Sequence, residues 1–171
     1  MDRDAVASHL LMVAVAFMVG ILLSGAVADW FIRRGVHILS VMNGFLAAFL
    51  LSEALIVFQI ESLMLPAWLL FGMTGQVAIL AYPWLSSYFG AALSGRANTA
   101  MNLLIFATAF GTQYAIGGII DLFPSSTAGG YEPDAYVVGF GLCLAVQLIA
   151  LIWYAFGFRA LKDTPSREAA A

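Results

Sequence analysis

The sequence has little charge and one cysteine, and each scarcity excludes a class of protein. Only 10% of its 171 residues are Asp, Glu, Lys or Arg, whereas a soluble domain carries about 25% because its surface must meet water. The single Cys143 excludes an internal disulfide and a cysteine zinc cluster, and we interpret it as a small packing residue. With 63% hydrophobic residues and a net charge of −3, the chain is expected to be embedded in lipid and to bind no nucleic acid.

Five apolar segments are long enough to cross a membrane as helices, which takes about 20 residues each. They are roughly Ala5–Ala28, Val36–Ile60, Leu65–Gly90, Ala97–Ile120 and Ala135–Phe158. The first is too long for the apolar core of a signal peptide, so we interpret it as a retained span. Pro83 is expected to kink the third span because proline removes a backbone hydrogen bond. The segment Asp121–Asp134 is rich in Pro, Gly and Ser and is predicted to be an exposed loop.

These spans predict an all-α fold, a polytopic transmembrane bundle of five helices over residues 1–158, followed by a polar tail at 159–171. Basic residues indicate its orientation, because six of the seven fall on one side of the predicted topology. Those six are Arg33, Arg34, Arg96, Arg159, Lys162 and Arg167. The positive-inside rule makes that side cytoplasmic. We therefore expect a multi-pass protein of the plasma (cell inner) membrane, with its N-terminus outside and its C-terminal tail in the cytoplasm.

The fourth span carries a polar stripe. At 100° per residue, Asn98, Asn102, Thr112 and Gln113 fall within a sector about 100° wide. An amide in lipid without a hydrogen-bond partner costs several kcal/mol, so this stripe must face protein or a water-filled path. It is either a translocation face that contacts a solute or a set of hydrogen bonds between helices. Thr112 and Gln113 lie deepest and are the stronger candidates for solute contact.

The first span repeats small residues at every fourth position, at Ala16, Gly20, Ser24 and Ala28. Small residues let helix backbones approach closely in a membrane, so this stripe predicts a helix-packing face.

Glu53 is an ionisable residue inside the second span. An intramembrane carboxyl is a hypothesis of function, here proton coupling. No basic partner for it is visible in the other spans, and a protonated carboxyl or one that reaches the headgroups stays an alternative.

The first span ends in a cluster that a simple basic turn does not explain. Arg33 and Arg34 follow Asp29, and Gly25 lies one turn before it. An aspartate at a helix C-terminus is opposed by the helix dipole. We therefore expect Asp29 to gain from the arginines and from the positive N-terminal end of a neighbouring helix, which the missing side chain at Gly25 would let approach.

This cluster resembles the cytoplasmic loop signature of the major facilitator superfamily, Gly-x-x-x-Asp-(Arg/Lys)-x-Gly-Arg-(Arg/Lys). Gly25, Asp29, Arg33 and Arg34 match it, whereas Trp30 and Ile32 replace its basic residue and its glycine. The stretch from Ser94 to Pro124 is similar to the connection between the family's tenth and eleventh helices and to the eleventh helix. The resemblance implies that the five spans are helices eight to twelve of a partial major-facilitator fold.

A second mapping places the spans at helices two to six of the family's first half. That half often carries a Gly-x-x-x-Gly-Pro-x-x-Gly-Gly antiporter motif, of which only Gly117 and Gly118 remain here. The resemblance therefore favours the C-terminal half.

The resemblance implies part of a secondary transporter that moves a small solute by alternating access, without catalytic residues, metal or cofactor. It also implies that Asp29 pairs with a helix terminus of the other half and acts in gating. The expected partners are membrane lipids, the solute, and a missing transporter half or another membrane subunit. The chain would be a fragment of a longer transporter or a member of a complex.

Two other classes remain. A non-transporting membrane subunit that scaffolds a larger complex would seal the polar stripe against a partner. An intramembrane enzyme would need a deep cluster of His, Asp or Glu, and Glu53 stands alone, so we expect no enzymatic activity.

Overall fold

The computed structural model describes residues 3–123 and 132–162, and their side chains at 4–123 and 132–157. Its α-helices are α1 (Arg3–Ile32), α2 (Ile38–Val57), α3 (Met64–Thr74), α4 (Ala81–Phe89), α5 (Ala91–Ile120) and α6 (Pro133–Lys162). Two 3₁₀ helices, Glu61–Leu63 and Val77–Leu80, begin the third span and interrupt it. The described residues contain no β-strand.

Within the described residues, five helical segments are long and apolar enough to cross a membrane, which agrees with the predicted number of spans. A helix satisfies all its backbone donors and acceptors internally, which is what lipid requires. The spans run over Asp4–Ile32, Ile38–Val57, Glu61–Phe89, Ala91–Ile120 and Pro133–Gly157. The fold is therefore an all-α bundle suited to a membrane.

Several boundaries differ from the predicted ones because helices continue past the apolar residues. Arg96, expected between spans, lies in the second turn of α5, since Gly90 starts that helix at a φ of 71°. Helix α6 runs on to Lys162, so the first residues of the predicted tail are helical. Residues 163–171 of the tail and 124–131 of the predicted loop lie outside the described residues.

The third span is interrupted, but not by a kink at Pro83. Helix α3 ends at Thr74, a 3₁₀ turn follows, and α4 begins at Ala81. Pro83 therefore lies in the first turn of α4, where its missing N–H leaves no intrahelical hydrogen bond unmade. The proline lies near the start of a new helix, and the break before it runs from Gly75 to Leu80.

The break lets one span pack against opposite sides of the bundle. Helix α3 packs against α1 and α2, whereas α4 packs against α5. Helix α6 joins the two sides because it contacts both α2 and α5. We call the end of the bundle that holds Gly35 and Gly90 the basic end, since Arg33, Arg34 and Arg96 lie beside those two turns.

The predicted small-residue stripe is the packing face of α1. Within its described side chains, α1 buries only Ala16, Gly20, Ser24 and Ala28. A Cβ placed on Gly20 would collide with the backbone of Met73 in α3. A Cβ on Gly72, the residue before Met73, would lie 3.0 Å from the carbonyl oxygen of Val13, two turns before Gly20 on α1. The backbones of α1 and α3 therefore touch, as the stripe predicts.

We expect Gly20→Ala to lower the free energy of unfolding by about 1–3 kcal/mol, because the added methyl group meets rigid backbone. Gly25→Ala is the matched control on the same helix. Nothing lies within 4 Å of its Cβ position, so it should raise that free energy by about 0.5–1 kcal/mol through helix propensity. Dodecyl sulfate titration in mixed micelles, followed by far-UV circular dichroism, measures both. Equal effects of the two variants would contradict the contact between α1 and α3.

Candidate functional site

Two residues of the polar stripe hold α5 to α4. The hydroxyl of Tyr82 donates a hydrogen bond to Oδ1 of Asn102. One turn along, Nδ2 of Asn98 donates to Oγ of Ser86 at 3.2 Å. Tyr82 and Ser86 are four residues apart on α4, and their partners Asn102 and Asn98 are four apart on α5, so the two bonds form a ladder between the two helices. Asn98 and Asn102 therefore make the interhelical hydrogen bonds that were one interpretation of the stripe.

The deeper residues of the stripe have no such partners. Thr112 is half-buried and Gln113 is exposed, and neither makes a hydrogen bond within the described part of the chain. The neighbouring Phe110 and Tyr114 are 71% and 87% exposed. No residue of α5 is buried. Helix α5 thus presents a side-chain amide on an outward face, and the described residues supply no partner for it.

The cluster at the end of α1 is also directed away from the bundle. Nη1 of Arg33 lies 3.9 Å from Oδ2 of Asp29, and both side chains are 72% exposed. The guanidinium of Arg34 lies 3.3 Å from the ring centre of Trp30, a cation–π contact. Nothing lies within 4 Å of the Cβ position of Gly25. The neighbouring helix end that the sequence leads us to expect there does not come from the described residues.

Glu53 lies at the interface between α2 and α6. It is 2% exposed, and within the described residues its Oε2 has no hydrogen-bond partner. The Gln147 side chain of α6 lies beside the carboxyl, and Cys143, one turn earlier on the same helix, lies near it. The described side chains place no cation beside it. Proton coupling by Glu53 stays a prediction, now with a defined neighbour.

The sequence held a signal for Gln147, because it is the lone amide within the fifth span. Whether Gln147 faces Glu53 depends on how α2 and α6 are rotated against each other, and the periodicity of a single helix gives no information on that rotation.

Among the described residues, no group of three or more His, Cys, Asp or Glu could hold a metal ion.

Two apolar cavities flank the third span, and neither was predicted. The larger, about 770 Å³, lies between α2, α4 and α5 at the basic end, beside the interruption at Val77–Leu80, and Tyr154 of α6 also lines it. The smaller, about 420 Å³, lies between α1, α2 and α3. The break in the third span opens the first of these, because it separates the part of that span that packs on α2 from the part that packs on α5.

Comparison with known proteins gives no match, whether to a protein-family model, to a curated protein or to a solved structure. The resemblance to the major facilitator superfamily therefore depends on the residues quoted above and on the spacing of the spans.

We expect Glu53→Ala to lower the free energy of unfolding by about 1–3 kcal/mol, because it removes a buried side chain from the interface of α2 and α6 and leaves the half-buried Gln147 amide without its neighbour. Glu53→Gln keeps the shape and a hydrogen-bonding group, and its effect should stay within about 0.5 kcal/mol of the wild type. Glu61→Ala is the control, since Glu61 is exposed and surface substitutions change stability by about 0.5 kcal/mol or less. Dodecyl sulfate titration checks the order. If Glu53→Ala is as mild as Glu61→Ala, Glu53 does not hold the interface of α2 and α6.

Proposed function

We propose that the chain is part of a secondary active transporter that moves a small solute across a membrane by alternating access. The observation that carries this proposal is the outward position of Gln113 on α5, a helix with no buried residue. An amide in hydrocarbon without a partner costs several kcal/mol. Water in a solute path, or a second set of membrane helices, would remove that cost. In alternating access the solute path lies between two such sets of helices.

The interrupted third span also supports this proposal. Transporter folds often contain discontinuous helices near the solute site, because irregular backbone is tolerated in a membrane only where it faces protein or a cavity. Here the interruption at Val77–Leu80 lies beside a cavity of about 770 Å³. Within the major-facilitator mapping, the break supplies a point at which one side of the bundle can move relative to the other.

The exposed cluster of Gly25, Asp29, Arg33 and Arg34 fits a gating contact with the missing half. The Asp29 side chain is 72% exposed, and no described residue fills the space beside Gly25. A helix N-terminus of the other half could therefore approach the carboxylate. The basic residues at this end would face the cytoplasm of a plasma-membrane protein, with the N-terminus outside.

One observation favours the alternative, a non-transporting subunit that scaffolds a larger membrane complex. Asn98 and Asn102 are both hydrogen-bonded to α4 rather than directed into an open path. If Gln113 meets a side chain of a partner in the same way, α5 is an assembly surface and carries no solute.

Reaction with a charged, membrane-impermeant thiol reagent separates the two functions. We expect Gln113→Cys, made with Cys143→Ser in native membranes, to be modified because the thiolate that reacts needs water. Leu11→Cys is the control, since Leu11 is 66% exposed on α1 and lies at a similar distance from the same end of the bundle as Gln113. It should not react if it faces lipid. A Gln113→Cys variant as unreactive as Leu11→Cys would exclude a water-filled path and support the scaffold.

A further inference from the structure

The larger cavity is a groove whose length matches one leaflet of a membrane. Helix α5 lines it from Leu93 to Leu104, which is about 16 Å at a rise of 1.5 Å per residue. The hydrocarbon core of a bilayer is about 30 Å thick, so one leaflet is about 15 Å deep. The groove starts at the basic end, in the first turns of α2 and α5, and therefore runs from the headgroup level towards the membrane centre.

The groove is continuous with the outer surface of the bundle. Phe89, Leu93 and Leu104 line it, and they are 45%, 46% and 67% exposed. Large apolar side chains on a membrane helix face acyl chains wherever no further helix covers them. An acyl chain can therefore enter the groove from the side, without crossing a polar barrier among the described residues.

One end of this apolar groove carries a positive charge. Arg96 is the single charged residue among those that line it. Within the described side chains, the only ion pair joins Arg33 to Asp29, so no described carboxylate neutralises Arg96. Its position in the second turn of α5 places the guanidinium near the headgroup end of the groove. The groove thus combines an apolar wall one leaflet long with a cation at its polar end that no described carboxylate pairs with.

We propose that this groove binds an anionic phospholipid of the leaflet at the basic end. One of its acyl chains lies along α5 between α2 and α4, and Arg96 binds its phosphate. A planar guanidinium forms paired hydrogen bonds to phosphate oxygens, and basic pockets between membrane helices bind anionic headgroups in this way. A zwitterionic lipid offers the same acyl chain but no net charge to attract Arg96. The site is separate from the outward face of α5 at Gln113 and does not depend on the proposed transport function.

Trp84 lines the groove and supplies a probe for this lipid. The full chain, with its other three tryptophans replaced in Trp30→Phe, Trp68→Phe and Trp153→Phe, is placed in phosphatidylcholine vesicles. Lipids brominated on one acyl chain quench tryptophan fluorescence on contact. We expect brominated phosphatidylglycerol to bind at Trp84 about fivefold more strongly than brominated phosphatidylcholine, the preference that one basic residue near the surface provides.

Substitutions of Arg96 test whether this residue is the source of the preference for phosphatidylglycerol. Arg96→Gln should remove the fivefold preference, and Arg96→Lys should retain most of it because the charge remains. Arg33→Gln is the matched control: Arg33 is a basic residue of the same end that does not line the groove, and its replacement should leave the preference unchanged. Native mass spectrometry of the chain with all its tryptophans, with and without Arg96→Gln, gives an independent count of retained phosphatidylglycerol. That count should fall about fivefold in the variant.

Four outcomes would overturn the proposal. Equal quenching by the two phospholipids would show that Arg96 selects no headgroup. An equal loss in Arg33→Gln and Arg96→Gln would assign the preference to the general charge of the basic end. Quenching by a brominated fatty acid but not by either phospholipid would identify a single-chain amphiphile as the occupant. No quenching by any of these lipids would show that the groove is closed to the bilayer.

Discussion

The backbone contact between α1 and α3 determines where the remaining helices can lie. A membrane provides little hydrophobic driving force between helices, so close packing of small residues has to supply the attraction. Gly20 and Gly72 supply it here, because neither position has room for a side chain. This contact fixes the first half of the third span between α1 and α2. The second half of that span can then reach α5 only if the helix is interrupted, as it is at Val77–Leu80.

The interruption has two consequences for function. It gives α4 its own direction, and the hydrogen bonds of Asn98 and Asn102 attach α5 to it. Helix α5 is thereby held at the edge of the bundle, where it buries no residue and presents Gln113 outward. The interruption also leaves the groove of about 770 Å³ between α2, α4 and α5. The proposed partner surface and the proposed lipid site are thus both products of one broken span.

The sequence predicts the features that a single helix determines, but it does not predict those that depend on how two helices pack together. Span number followed from apolar length, and the packing face of α1 followed from its four-residue repeat of small side chains. The partners of Asn98 and Asn102, and the proximity of Glu53 to Gln147, depend on how helices are rotated against each other. Pro83 indicates a disturbance in the third span, but the helix ends earlier, at Thr74. The proline itself lies in the first turn of α4, where it leaves no hydrogen bond unmade. The predicted fourth span starts at Ala97, after the charged Arg96, whereas α5 begins at Ala91 and includes Arg96.

The most direct test of this account is the protein mass of the particle extracted from native membranes in a mild detergent. An antibody against residues 163–171 would identify the particle, and native mass spectrometry would weigh it. The account predicts a protein mass well above the 18.3 kDa of this chain, because further membrane helices must cover the outward face of α5. A uniform particle with 18.3 kDa of protein would contradict it and would leave Gln113 facing lipid alone.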